Sequence, residues 1–290
     1  MKTTSGFDGI SLPSRGFDLD ATLSSGQAFC WRRGADENWR GWIGDRPCVA
    51  GLDGGQLHVL GSGLTEAGVS RYFGLDPGLD KILASFPADD PWLLRARLFC
   101  PGLRLLRQDP WETLCNFICS SLKQIVQIAQ INHDLRVAFG PKLRPGEHVF
   151  PSPAQLAQVS EAGLRACKMG FRARHLFVAA RQIAAGEISL EHIATLPTAQ
   201  AREELMRVRG VGEKVANCVL LFAYGRLEAF PIDVWVERVL RKLYFRNRRK
   251  ITAGTLRRFS ERHFGPHGGY AQQFLFHWIR NDPTALEDAG

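Results

Sequence analysis

The sequence predicts an α+β protein: a small antiparallel β-sheet domain over residues 1–108, packed on a larger, all-helical body over 109–290. Three observations carry this. The first 60 residues hold short alternating apolar stretches between glycine-rich turns, and the second half repeats its apolar residues at helical spacing. The change of character falls at Asp109-Pro110, a pair suited to cap and open a helix.

Strands are expected at Trp39 to Ile43, Pro47 to Leu52 and Gln56 to Leu60, joined at Gly44-Asp45 and Asp53-Gly54-Gly55. Residues 64–108 complete the first domain, with helical patterns at Arg71 to Phe73 and Leu79 to Phe86 and a turn at Asp89-Asp90-Pro91. Beyond Pro110, the series Leu114, Phe117, Ile118, Leu122, Ile125, Ala129 and Leu135 reads as helix. Further helices are expected over 153–168, 171–186, 189–195, 199–208, 213–225, 234–244, 252–264 and 269–280.

A chain of 290 residues with 45% hydrophobic content can bury a core of its own. Its net charge of +8 and pI near 9.3 favour a polyanionic partner, either nucleic acid or an anionic membrane surface. No stretch reaches the ~18 apolar residues of a membrane span, and the N-terminus has no apolar run, so a soluble, cytoplasmic monomer is expected. The seven cysteines match neither a disulfide framework nor a zinc site. Reduced thiols fit, with Cys115 and Cys119, one turn apart, packing in a helix. Ten Lys/Arg between Arg238 and Arg262, among them Arg246, Arg248, Arg249 and Lys250, form either a solvated face or a phosphate track.

The most informative segment runs from Leu205 to Cys218 and contains Gly210-Val211-Gly212-Glu213-Lys214. A helix ends, the glycines turn the chain, and a second helix begins, giving a hairpin over 203–225. Glycine tolerates positive φ and close backbone approach, so the turn's N–H groups can converge on a phosphate. Such a clamp holds any DNA backbone and reads no sequence. The alternative is an ordinary αα-hairpin with a glycine C-cap.

This segment, with Pro231-Ile232-Asp233-Val234 after it, resembles the helix-hairpin-helix element of the DNA glycosylase superfamily. Five further blocks resemble the 8-oxoguanine DNA glycosylase family in order: Ser25 to Phe29, Leu105 to Pro110, Phe117 to Ser121, Gly170 to Arg174, and Ala271 to Phe276. The resemblance spans about residues 20 to 280 and implies a helix-hairpin-helix glycosylase body behind the sheet domain. It implies a nuclear or nucleoid location on DNA, duplex DNA with an oxidised purine as partner, and no membrane. No iron-sulfur cluster is expected, since no cysteine follows Cys218; no other cofactor or catalytic metal is legible, and a structural monovalent cation at the hairpin is compatible with the family.

By resemblance, Lys214 attacks the sugar C1′, displaces the damaged base and forms a Schiff base from which β-elimination nicks the strand. Only the neutral amine attacks, and both the positive end of its helix and a bound base disfavour the cation. Asp233 caps the next helix and, by resemblance, stabilises positive charge on the sugar and moves protons near Lys214. The lesion must be extruded from the duplex to reach these groups. Gly26 matches the residue whose carbonyl accepts the N7 hydrogen of 8-oxoguanine, and Gln272 the reader of its Watson-Crick edge. Cys218 and Phe276 match the walls on its two faces. Gly210, Val211, Gly212 and Trp235 match phosphate-contacting positions, with Trp235 where the family often has histidine.

The opposite-base residues depart from the family. Arg172 is retained and Phe171 replaces a tyrosine, but Leu122-Lys123-Gln124 replaces an asparagine run and Gln127 stands where a second arginine is expected. Leu122 can wedge into vacated space yet cannot hydrogen-bond to cytosine. The expectation is relaxed discrimination of the opposite base or a shifted lesion preference. Two alternatives remain: an alkylpurine glycosylase of the same fold, which typically lacks the lysine, and a DNA-damage-binding module without chemistry.

Overall fold

A computed structural model describes residues 9–75, 78–246, 250–282 and 284–286. Arg248 and Arg249 of the basic run lie outside them. The first domain is a five-stranded antiparallel sheet of β1 (Gly9–Pro13), β2 (Arg32–Arg33), β3 (Trp39–Ile43), β4 (Arg46–Asp53) and β5 (Gln56–Leu60), in the order β1-β5-β4-β3-β2. The three expected strands are present; β1, β2 and the short helix α1 (Leu19–Ser24) are additions. β1 closes the edge of β5, with Ile10 opposite Val59 and Leu12 opposite Leu57. Alternation along β5 buries Leu57 and Val59 on one face.

Helix α2 (Glu66–Phe73), capped by Thr65 and ended by Gly74 in the left-handed region, lays Val69, Tyr72 and Phe73 on that face. Trp31 Nε1 donates to Tyr72 Oη at 2.7 Å, so the sheet's aromatic core is also polar-matched. Helices α3 (Leu79–Ala84) and α4 (Pro91–Phe99) follow in sequence, but Leu79, Leu93 and Ala96 join the core of the helical body. Asp90 caps α4 and accepts bonds from Tyr244 Oη and His263, tying this stretch to the C-terminal helices.

The body comprises α5 (Pro110–Cys119), α6 (Ile125–Phe139), the small hairpin β6 (Lys142–Arg144) and β7 (Glu147–His148), α7 (Pro153–Ala157), α8 (Glu161–Leu164), α9 (Arg172–Ala184), α10 (Leu190–Thr195), α11 (Thr198–Met206), α12 (Glu213–Phe222), α13 (Val234–Val239), α14 (Ala253–Phe264) and α15 (Gly268–Asn281). Asp109 caps α5 through Glu112 N, as its sequence predicts. The apolar series from Leu114 to Leu135 is not one helix, however. It breaks after Ser120, where Leu122 adopts φ +55°, and restarts at Ile125. The expected helix over 153–168 is likewise divided: Ser160 caps a new helix, and a π-turn over Arg165–Met169 ends with Lys168 at φ +60°. Both breaks face one another, since Lys123 Nζ donates to the Lys168 carbonyl at 3.3 Å.

Beneath these breaks, Arg136 of α6 forms a two-pronged pair with Glu112 of α5 at 2.7 and 2.8 Å, and Asn132 bridges to Asn116. This buried network holds α5 against α6 and so fixes the loop 120–124 that joins them; truncating one partner would leave a buried charge and cost about 3–5 kcal/mol.

Candidate active site

One cavity of about 320 Å³ opens between the sheet domain and the helical body. Lys214, Asp233, Gly26, Cys218, Gln272, Phe276 and Trp235 all line it, although they come from four separate segments of the chain. Lys214 is in the first turn of α12, directly after the hairpin turn. Its Nζ donates to Ser120 Oγ at 3.0 Å and lies 5.0 Å from the Phe117 ring centroid. Phe117 stacks on Phe222 of α12 at 5.5 Å and 16°. Ser120 in turn donates to the Phe117 carbonyl, so its oxygen lone pair is directed to the lysine.

Asp233 caps α13: one carboxylate oxygen accepts from the amides of Trp235 (3.0 Å) and Val236 (2.9 Å). Its other oxygen has no protein donor among the described residues. Lys214 and Asp233 share the cavity without forming an ion pair, which leaves room between amine and carboxylate for a sugar. Cys218, one turn beyond Lys214, is buried, and burial pushes its thiol up to about 11 despite the nearby amine. It is a neutral, soft wall at neutral pH.

Gly26 has φ +76°, and a Cβ there would sit 2.6 Å from Ile125 Cδ1 and 3.4 Å from Phe276 Cε1. Only glycine fits without strain. Its neighbours fix it: Gln273 Nε2 donates to the Ser25 carbonyl, and the fully buried Gln27 bonds Thr22, Arg104 and Leu106 backbone groups. Gln272 is 4% exposed, and its Oε1 is buried without any hydrogen-bond partner. A buried orphan acceptor costs roughly 1–3 kcal/mol unless a ligand satisfies it.

The hairpin forms as predicted, with one correction of detail. Only Gly210 uses positive φ (+86°), where a Cβ would strike His175 at 2.5 Å; Gly212 is extended at φ −99°, and its open side leaves α12's first amides accessible. The Val211 amide donates to the Val208 carbonyl at 3.1 Å, so the amides of the turn left without a backbone acceptor are those that follow it. Trp235 lines the cavity but spends its backbone amide on Asp233.

Leu122, Gln127, Phe171 and Arg172 lie outside the cavity, around the loop 120–124. Leu122 is 88% exposed and Phe171 55% exposed. Arg172 stacks on Phe171 at 4.3 Å and donates to the Met169 and Ser121 carbonyls. Gln127 uses its side-chain oxygen to accept from Gln124 N at the start of α6.

Sequence reasoning missed Ser120, Phe117, Ile125 and Arg280 as cavity residues. Ser120 stood within a quoted block, but nothing local distinguishes it from a helix-ending serine. Arg280, one turn after Phe276, places its guanidinium carbon 5.3 Å from that ring. The described residues contain no group of three potential metal ligands, and no helix long and apolar enough to cross a membrane.

The chain was compared with known proteins. The N-terminal domain of 8-oxoguanine DNA glycosylase matches residues 10–114, and the HhH-GPD superfamily base excision DNA repair protein matches residues 115–263. MBOgg1, solved in complex with a low affinity DNA ligand, is 34% identical with a TM-score of 0.87, covering 96% of this chain and 99% of that one. The Clostridium acetobutylicum 8-oxoguanine glycosylase/lyase, solved with dsDNA containing cytosine opposite to 8-oxoG, is 31% identical with a TM-score of 0.86 over 93% of each chain. The probable N-glycosylase/DNA lyase of Methanothermobacter thermautotrophicus is 32% identical over 202 residues, 62% of this chain and 64% of that protein. The match thus spans just under two thirds of that curated relative. With both of its halves matched in order, and near-complete overlay on structures more than 30% identical, the chain belongs to the HhH-GPD superfamily of base excision DNA repair proteins and carries the N-terminal domain of an 8-oxoguanine DNA glycosylase.

Proposed function

We propose that this protein is a bifunctional N-glycosylase and AP lyase that removes 8-oxoguanine, or a closely related oxidised purine, from duplex DNA. The observation that carries the reading is that one cavity is lined by a lysine with its amine and by a glutamine whose buried side-chain oxygen has no partner, together with a soft wall and an aromatic wall. The buried Gln272 Oε1 suits the N–H donors on a purine's Watson-Crick edge. Cys218 and Phe276 suit its two faces, and the Gly26 backbone suits the N–H that distinguishes the oxidised base from guanine. The amine of Lys214 then attacks C1′ as the C1′–N9 bond breaks, the departing base takes the proton the amine sheds, and cleavage of the C1′–O4′ bond, with the amine's second proton passed to O4′, gives the imine from which β-elimination expels the 3′ phosphate. The free oxygen of Asp233 offsets the positive charge that develops on the sugar. The chemistry needs no redox cluster and no metal.

The opposite base is read loosely in this proposal. Leu122 has no hydrogen-bonding group, Gln127 gives its oxygen to the α6 start, and the Arg172 guanidinium is engaged by two carbonyls. The test of the central claim is borohydride trapping on an 8-oxoguanine duplex. Wild-type protein should yield a covalent adduct, and Lys214→Gln should lose it along with about 10³-fold or more of single-turnover excision while still binding the duplex. Robust excision by the glutamine variant would instead indicate water as nucleophile, the alkylpurine type of chemistry.

A further inference from the structure

We propose that Arg280 is the cation that grips the backbone phosphate of the extruded nucleotide, a specificity contact made only after the base has left the duplex. The proposal rests on the glycosylase reading above and concerns how that site holds its substrate. Arg280 lies four residues, one turn, beyond Phe276 on α15, so both side chains share a helix face. Its guanidinium packs over the Phe276 ring at 5.3 Å and lines the same cavity as Lys214 and Asp233. Several arginines are tied to carboxylates, as Arg40 is to Asp36, Arg136 to Glu112, Arg207 to Glu204 and Arg257 to Glu213, and others donate to carbonyls, as Arg226 does to Ala194 and Leu196. Arg280 has no carboxylate partner and donates no hydrogen bond to protein among the described residues. Partial burial disfavours its charge, and the Asp233 carboxylate offsets part of that.

The position of the cation follows from the cavity. A base between Cys218 and Phe276, with C1′ at Lys214 and its sugar facing Asp233, must leave its phosphates at the rim. At that rim Trp235 brings no charge and has already spent its backbone amide on Asp233. Among the described residues lining the cavity, Arg280 supplies the guanidinium; Lys123 gives its amine to the Lys168 carbonyl, and Arg238 stacks on the Trp235 ring without lining the cavity. Stacking on Phe276 restrains its plane, and its fork of N–H donors matches the paired oxygens of a phosphodiester. The hairpin amides and the remaining basic surface grip DNA whether or not a nucleotide is extruded; Arg280 acts at the cavity itself and therefore separates lesion from undamaged duplex.

The experiment is a salt titration of affinity in a Lys214→Gln background, where chemistry is silent, with one 8-oxoguanine duplex and one undamaged duplex of the same sequence. Neutralising one phosphate contact lowers the slope of log K against log salt by about 0.9. Arg280→Leu should show that decrease on the lesion duplex alone, and Arg280→Lys should restore the slope. An unchanged slope on the lesion duplex, or an equal decrease on both duplexes, overturns the proposal. So does an unchanged slope accompanied, with Lys214 intact, by a shifted pH profile of excision, which would make Arg280 a tuner of Asp233 instead. If the parent protein shows no preference for the lesion duplex at all, it is the glycosylase reading that fails.

Discussion

The lesion cavity and the rim around loop 120–124 are built on opposite terms. The cavity is preformed: Cys218 and Gln272 are 2% and 4% exposed, Gly26 sits in a conformation closed to other residues, and Lys214 is held by Ser120. The rim is open, with Leu122 and Phe171 largely exposed, the Gln127 side-chain oxygen and two Arg172 nitrogens given to local backbone groups, and the Arg172 Nε buried without a partner. The difference teaches where selectivity resides. A rigid cavity discriminates because a wrong base leaves buried polar groups unpaired, whereas an exposed apolar rim fills space without reading an edge.

The sharpest way to break the contrast is Gly26→Ala. A Cβ at φ +76° and 2.6 Å from Ile125 Cδ1 should cost about 1–3 kcal/mol, read as a roughly 10- to 100-fold slower single-turnover excision of 8-oxoguanine. An undiminished rate would mean the cavity is not rigid. Next comes Gln272→Leu, which removes a buried acceptor that the free protein leaves unsatisfied. Excision should fall by about tenfold or more while the melting temperature holds or rises, because the free fold loses only a cost. A fall in both would show the amide to be structural.

Smaller effects belong to the rim. Excision opposite C, A, G and T should fall within about one order of magnitude, each good bidentate base contact being worth roughly 1–3 kcal/mol and none being legible here. A strong preference for C would restore an opposite-base reader. Leu122→Ala, at a largely exposed position, should change stability by less than about 0.5 kcal/mol and slow excision a few-fold equally for all four partners. Unequal slowing would show that the wedge reads as well as fills.

The same contrast explains what could be read in the sequence. Elements with local signals were legible: the β3-β4-β5 meander from its turns, α5 from Asp109-Pro110, the α11-α12 hairpin from its glycines. The breaks at Leu122 and Lys168 were not, because apolar spacing continues through both and only the packing of α5, α6 and α9 imposes positive φ there. Gly26, Cys218, Gln272 and Phe276 were found by ordered resemblance, since none has a distinguishing local pattern. Ser120 and Arg280 were missed because their roles exist only in space: one meets a lysine 94 residues away, and the other faces a helix start far upstream.

One consequence of the Gln27 and Gln273 bonds has to do with assembly. Gln273 of α15 ties the Ser25 carbonyl, next to Gly26, to the helical body, while Gln27 anchors the same turn to the Arg104–Leu106 stretch of its own domain. Yet Gly26 belongs to the sheet unit, while the amine and carboxylate belong to the other. The cavity is therefore assembled from two separate pieces of chain, with Gly26 from one and Lys214, Cys218, Asp233, Gln272 and Phe276 from the other, and it is complete only when they are docked. With the two pieces undocked the cavity loses one wall, so those few buried amide bonds act as a safety catch that couples a finished site to correct folding of both units.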